Sequence, residues 1–254
     1  MAEYKGIRGF KVRSLGSDPT NNSGEIWYNT STNLLKYTNY VGAWSSGTAI
    51  NTGRASGVGG AGTMTSALIF GGNTLPPPGI TNITEEWNGS TWTETGDLIQ
   101  SKDHVTGYGA NSESAMCVGG HTTAGTPAPA ITSSETFNGS TWSEGADLPV
   151  ARSYGSGTGI TTAGLYVSGI GLPPLSPQYT AETYEYDGST WTESNNVGTA
   201  SYDGGAIGTQ TAALYFGGRV EGPPAVDTNI STEYDGTSWT VGNSLTIAKK
   251  AYNM

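Results

Sequence analysis

Four apolar runs recur along this chain, each closing on glycine: ALIFGG at 67–72, AMCVGG at 115–120, LYVSG at 165–169 and ALYFGG at 213–218. Runs this short and this uniformly apolar predict strands covered on both faces. Before each lies a stretch poor in side chains: RASGVGGAGT at 54, KDHVTGYGAN at 102, RSYGSGTGIT at 152 and SYDGGAIGTQ at 201. Glycine at such places lets neighbouring backbones approach closely. After each apolar run comes a strand that alternates in the manner of TYEYDG, then one that holds a tryptophan. Asn-Gly or Asp-Gly joins these two, which is the strongest short hairpin signal a sequence offers. Four strands, A to D, are therefore predicted in each unit.

The tryptophans set the period. Trp92, Trp142, Trp191 and Trp239 are separated by 50, 49 and 48 residues, and Trp44 lies 48 before Trp92. Five units of about 49 residues with β-type composition read as propeller blades, each with a tight C–D hairpin and a large ring set against its neighbour. The expected fold is all-β, a five-bladed β-propeller of four-stranded antiparallel blades over residues 21–254. Both termini supply the fifth blade: GEIWYN at 24 as B, NLLKYTN at 33 as C, AWSSGT at 43 as D, and the start of KKAYNM at 249 as A. Such closure removes exposed sheet edges. A basic residue stands ten positions after the tryptophan in four units, as Arg54, Lys102, Arg152 and Lys249, whereas the remaining unit has Ser201.

Composition sharpens this picture. Glycine, 39 of 254 residues, is about twice its usual share, and charged residues at 13% are about half of theirs. No stretch approaches the length of an apolar membrane span, and the first residues lack a signal-peptide core, so membrane insertion is not expected. The net charge of −10 argues against nucleic acid as a partner. Residues 1–13 run the other way, with Lys5, Arg8, Lys11 and Arg13 against Glu3, a balance of +3 that leaves −13 for the rest. The asymmetry marks the N-terminus, residues 1–20, as a basic arm and a separate functional piece. The single cysteine, Cys117, excludes an internal disulfide and reads as a buried small hydrophobe.

Strand direction predicts that B–C and D–A connections emerge at one end of the blades, and C–D hairpins with A–B turns at the other. Ten of the twelve prolines fall in the four B–C loops, at 74, 121, 170 and 219. Stiffened loops of unlike sequence on a common face read as a binding surface on a rigid scaffold. Its candidate residues are Pro76, Pro77, Pro78, His121, Pro127, Pro129, Pro173, Pro174, Tyr179, Arg219, Pro223 and Pro224.

Catalytic chemistry finds little support. His104 and His121 fall in non-equivalent places, and two histidines with one cysteine make no transition-metal set without carboxylates. Neither a metal nor another cofactor is expected. Asp103 and Asp203, both near strand A, are the nearest approach to the carboxylate pair that a glycosidase needs. Glu94, Glu144 and Glu193 recur with the period and read as blade structure. No phosphate-binding glycine loop and no Gly-x-Ser-x-Gly elbow occurs. The protein reads as a non-enzyme.

Two resemblances bear on function. The glycine pairs Gly71-Gly72, Gly119-Gly120 and Gly217-Gly218, each followed some 20 residues later by Tyr-Asp-Gly-x-x-Trp or its variants, resemble the Kelch repeat over residues 54–248. The pattern departs at Ser168-Gly169 and in having five units, where Kelch propellers usually have six or seven. The segment FKVRSLGSDPTNNSGEIWYNTSTNLLKY, residues 10–37, resembles segments of tail-fibre and other virion proteins of tailed bacteriophages, particularly marine ones. That resemblance implies a virion component that joins other virion proteins through the arm and meets a host-surface glycan or receptor. It also implies assembly in the host cytoplasm and release by lysis. A decoration protein without a receptor and a lectin-like propeller are the alternatives, and a homo-oligomer is compatible with all three.

Overall fold

The computed structural model describes residues 12–17, 26–37, 46–74, 79–123, 129–171, 179–222 and 224–250. The chain is all-β, and no helix occurs among the described residues. It divides into two compact units, 1–47 and 48–254. The first holds β1 (Arg13–Leu15), β2 (Ile26–Asn29) and β3 (Leu34–Tyr37), with β1 parallel to β2 and β2 antiparallel to β3. Arg13 thus sits in a paired strand, opposite Trp27. Lys5, Arg8, Lys11 and Trp44 lie outside the described residues.

The second unit contains four antiparallel sheets, one per repeat. The first repeat comprises β4 (Arg54–Ser56), β5 (Gly59–Thr63), β6 (Ser66–Phe70), β7 (Asn73–Thr74), β8 (Gly79–Ile80), β9 (Thr84–Trp87) and β10 (Trp92–Glu94). The second comprises β11 (Thr106–Asn111), β12 (Ser114–Val118), β13 (Ser134–Phe137) and β14 (Trp142–Glu144). The third comprises β15 (Ser156–Ile160), β16 (Ala163–Val167), β17 (Thr183–Tyr186) and β18 (Trp191–Ser194). The fourth comprises β19 (Ser201–Thr209), β20 (Ala212–Val220), β21 (Val226–Asp227), β22 (Ser231–Tyr234) and β23 (Trp239–Val241). Every sheet runs A, B, C, D in order, as in β11-β12-β13-β14, while β4, β7 and β8 form a small sheet of their own.

The A strands β5, β11, β15 and β19 lie side by side in sequence order. Their approach is so close that a Cβ on Gly107 would meet Gly60 N at 2.5 Å. The B strands fill the layers between sheets: Ala115, Met116, Cys117 and Val118 are completely buried, as are Leu165, Tyr166 and Val167. Cys117 is thus the buried hydrophobe expected from its context, and burial raises its thiol to about 12. Three of the tryptophans bridge sheets. Trp142 packs its ring on Phe70 of the preceding repeat and donates Nε1–H to Thr84 Oγ1 at 3.0 Å. Trp191 and Trp239 donate likewise to Ala146 O and Thr183 Oγ1.

The hairpin letters recur for a local reason. Asn138 Oδ1 accepts from the amides of Ser140 and Thr141, and Asn88, Asp187 and Asp235 do the same in their own turns. The glycine that follows takes φ of 90–95° in all four. An Asx side chain closing its own turn, with glycine in the left-handed region next, is the chemistry such a turn requires.

The recurring basic residue is a buried tie. Arg54 pairs with Glu85 at 2.9 Å and Lys102 with Glu135 at 2.8 Å, all four side chains almost fully buried, while Arg152 reaches Glu182. Its carbonyl also accepts from the second residue of the preceding glycine pair: Lys102 from Gly72, Arg152 from Gly120, Ser201 from Gly169 and Lys249 from Gly218. The two departures from the repeat, Ser201 and Ser168, therefore meet. Their hydroxyls lie 3.3 Å apart and Tyr215 OH lies 2.8 Å from Ser201 Oγ, so a neutral trio stands where other repeats bury an ion pair. Lys249 takes the same backbone place after the fourth repeat.

Candidate functional site

The two ends of the sheets in the second unit differ in kind. At one end the C–D hairpins adjoin the A–B turns, as where a Cβ on Gly139 would touch Glu113 and one on Gly236 would touch Thr211. At the other end the B–C loops begin. Asn73, His121, Ile170 and Arg219 each follow a glycine pair or its Ser168-Gly169 equivalent. They pair with Ser56, Asp103 and Ser153, which precede the inner strands, and with Tyr202, at the start of β19. B–C loops and D–A connections thus share one end, as strand direction implies.

One step further along lies a column of four positions, Gly57, His104, Tyr154 and Asp203, with φ of 68, 50, 56 and 53°. They are neighbours in space. Tyr154 N donates to His104 O and Asp203 N to Tyr154 O, both at 3.1 Å, and a Cβ on Gly57 would meet His104 N at 2.3 Å. Left-handed backbone costs an L-residue roughly 1–2 kcal/mol, and a bulky one such as tyrosine is an outlier there. Three of the four repeats bear that cost. Backbone strain kept at equivalent positions, with unlike side chains upon it, is a mark of sites selected for something other than stability.

Aromatic rings continue from this column. Tyr154 lies 4.0 Å from His104 and 5.5 Å from His121, ring centre to ring centre, and 6.0 Å from Tyr202. Tyr202 stacks on Tyr179 at 4.8 Å. Arg219 pairs in register with Tyr202 and forms a half-exposed ion pair with Asp227 at 3.1 Å. His104, Asp203 and residues 54–58 line a cavity of about 190 Å³. Burial raises the Asp203 carboxyl despite the attraction of Lys250, His104 and Arg219. Burial also raises Tyr154 to about 12, helped by the carboxylates of Asp203 and Asp103. Asp103 goes the other way, to about 2, because His104 and His121 outweigh the effect of its burial.

No protein-family model matches the chain, and no curated protein is significantly similar to it. The site must be read from its own geometry.

Of the loop residues expected at this face, His121, Tyr179 and Arg219 join the aromatic run, while Pro129 and Pro224 are exposed beside it in sequence. Pro76, Pro77, Pro78, Pro127, Pro173, Pro174 and Pro223 lie outside the described residues. His104 and His121 are non-equivalent in the repeat, yet the structure brings both onto Asp103. Asp103 and Asp203, paired by sequence reasoning, occupy different columns: Asp103 aligns with Ser153 and Tyr202, Asp203 with His104 and Tyr154. The column itself escaped notice. It stands 12 residues after Trp92, Trp142 and Trp191 and 13 after Trp44, so aligning units on tryptophan exposes it.

Proposed function

We propose that this chain is a five-bladed, Kelch-like β-propeller acting as a non-enzymatic virion protein of a tailed bacteriophage, whose loop-bearing end recognises a host-surface glycan. The basic arm, residues 1–20, joins it to other virion proteins, and the particle carries it out of the host by lysis. The four blade-like sheets with adjacent inner strands support the propeller, as does Lys249 in the same backbone place after the fourth repeat. The sequence of residues 10–37 supports the setting.

One observation carries the recognition reading: the run of His104, Tyr154, Tyr202 and Tyr179, with Asp203 and Arg219 along it. Aromatic faces offer apolar area against a sugar ring, and flanking charged groups fix its hydroxyls. The unlike residues at Gly57, His104, Tyr154 and Asp203 favour one composite site over the repeated, equivalent sites of a lectin-like propeller.

The test is binding of labelled protein to a panel of bacterial surfaces and glycans, alongside a Tyr179→Ala, Tyr202→Ala double variant. Binding that the folded variant loses supports the recognition reading. Absence of binding by both proteins refutes it and favours a decoration protein whose partner is the virion itself.

A further inference from the structure

Asp103 holds two imidazoles within reach. Its Oδ2 lies 3.2 Å from His104 Nδ1 and its Oδ1 lies 3.6 Å from His121 Nδ1. One donor atom from each of the three residues lies within 4.8 Å of the others. Asp103 and His121 are only 5% and 6% exposed. Asp103 Oδ1 and His104 Nδ1 are nevertheless buried without a hydrogen-bond partner. Buried polar atoms left unsatisfied cost about 1–3 kcal/mol each, so an arrangement that leaves two of them in one small cluster of donors needs a reason.

We propose that Asp103, His104 and His121 bind one divalent transition-metal cation of the zinc type. Bonds of about 2.0–2.2 Å from a tetrahedral zinc place its ligand atoms about 3.4 Å apart, so donor atoms that already lie within 4.8 Å of one another need draw in only slightly to share one ion. Two imidazoles and a carboxylate are borderline donors that suit zinc, nickel or cobalt over calcium or magnesium. Sequence reasoning dismissed the histidines for want of a carboxylate; Asp103 supplies it.

The ligands are also preorganised. Asp103 and His121 exchange both backbone hydrogen bonds, at 3.0 and 2.8 Å, although 18 residues separate them. His104 is held in its left-handed conformation by the bond from Tyr154 N to its carbonyl. Ligands on fixed backbone meet the main requirement of a metal site. Three protein ligands leave an open position, and His104 borders the cavity that Asp203 also lines. The cation ties the entry to β11 to the start of the loop at His121. This inference stands apart from the recognition reading, because it rests only on the three ligands.

The experiment uses untagged full-length protein, stripped with a chelator and titrated with Zn²⁺ alone by calorimetry. Co²⁺ is then bound in its place and its visible spectrum recorded. The expected result is one Zn²⁺ per chain and the intense absorption of four-coordinate Co²⁺. His121→Asn, which keeps the backbone bridge, and His104→Gly, which relieves the positive φ, should each weaken binding more than about 100-fold, beyond the loss of an outer-shell partner. Weak, non-stoichiometric Zn²⁺ binding with an octahedral Co²⁺ spectrum overturns the proposal. So does unchanged affinity in both folded variants. Should the variants fail to fold, the Co²⁺ spectrum of the wild-type chain alone decides.

Discussion

The hairpin end and the loop end of the same four sheets obey opposite rules. At the hairpin end, equivalent positions hold equivalent letters: Asn88, Asn138, Asp187 and Asp235 each close a turn with one side-chain oxygen, and each precedes a left-handed glycine. At the loop end, equivalent positions hold Gly57, His104, Tyr154 and Asp203 on the same backbone conformation. A single repeated unit has been kept where it builds the scaffold and diversified where it does not. The strain retained by three of the four loop-end residues argues that the diversity is put to use.

Several substitutions press on this contrast. Trp142 rests on Phe70 and bonds Thr84 in the preceding repeat, so Trp142→Ala should cost about 3–5 kcal/mol in urea unfolding. A loss below about 1 kcal/mol contradicts its place in the inter-sheet core. Lys102→Ala strands the buried Glu135 carboxylate and should also cost about 3–5 kcal/mol. The double change Lys102→Met, Glu135→Leu should return most of that, since Ser201 and Thr232 already dispense with the pair in the fourth repeat.

Raising the pH probes buried groups in the layers between sheets and, at Tyr154, in the loop-end column. Burial lifts Cys117 from 9.0 to about 12 and Tyr154 from 10.0 to about 12, and lifts Tyr108 and Tyr215 as well. A raised folded value favours the neutral form, so this contribution is present in full below pH 9. It is lost progressively as the pH rises to about 12. Chemical denaturation between pH 8 and 11 should therefore show a falling midpoint, with Cys117 unreactive toward thiol reagents until the chain unfolds.

The smallest expected effect concerns the loop end. His104→Gly and Tyr154→Gly relieve left-handed strain while giving up side-chain contacts, and should change stability by no more than about 1 kcal/mol in either direction. The glycine that already stands at position 57 shows that the fold accepts this residue in the column. A loss as large as that of Trp142→Ala would place these residues among the scaffold and erase the contrast.

What the sequence disclosed follows the same divide. The strands, the hairpins and the glycine pairs were legible because each recurs, and the buried Cys117 because it stands in a recurring apolar run; recurrence separates a structural requirement from accident. The basic residues were visible as a pattern but not as ion pairs, because their partners drift: Glu85 and Glu135 align, Arg152 uses Glu182, and the fourth repeat has none. The group of Asp103, His104 and His121 was invisible for a different reason. It occurs once, and it depends on a bridge between the entry of one strand and the exit of the next, which no spacing rule announces.

The most direct test of the central claim compares the two ends in one binding assay. One variant carries alanine at Tyr154, Tyr179 and Tyr202; the other carries alanine at the hairpin positions Thr91, Ser140 and Ser189. Both are checked for folding and then measured against the surface or glycan that the wild-type protein binds. The loop-end variant is expected to lose binding while the hairpin variant retains it. Retention by the first with loss by the second would contradict that expectation.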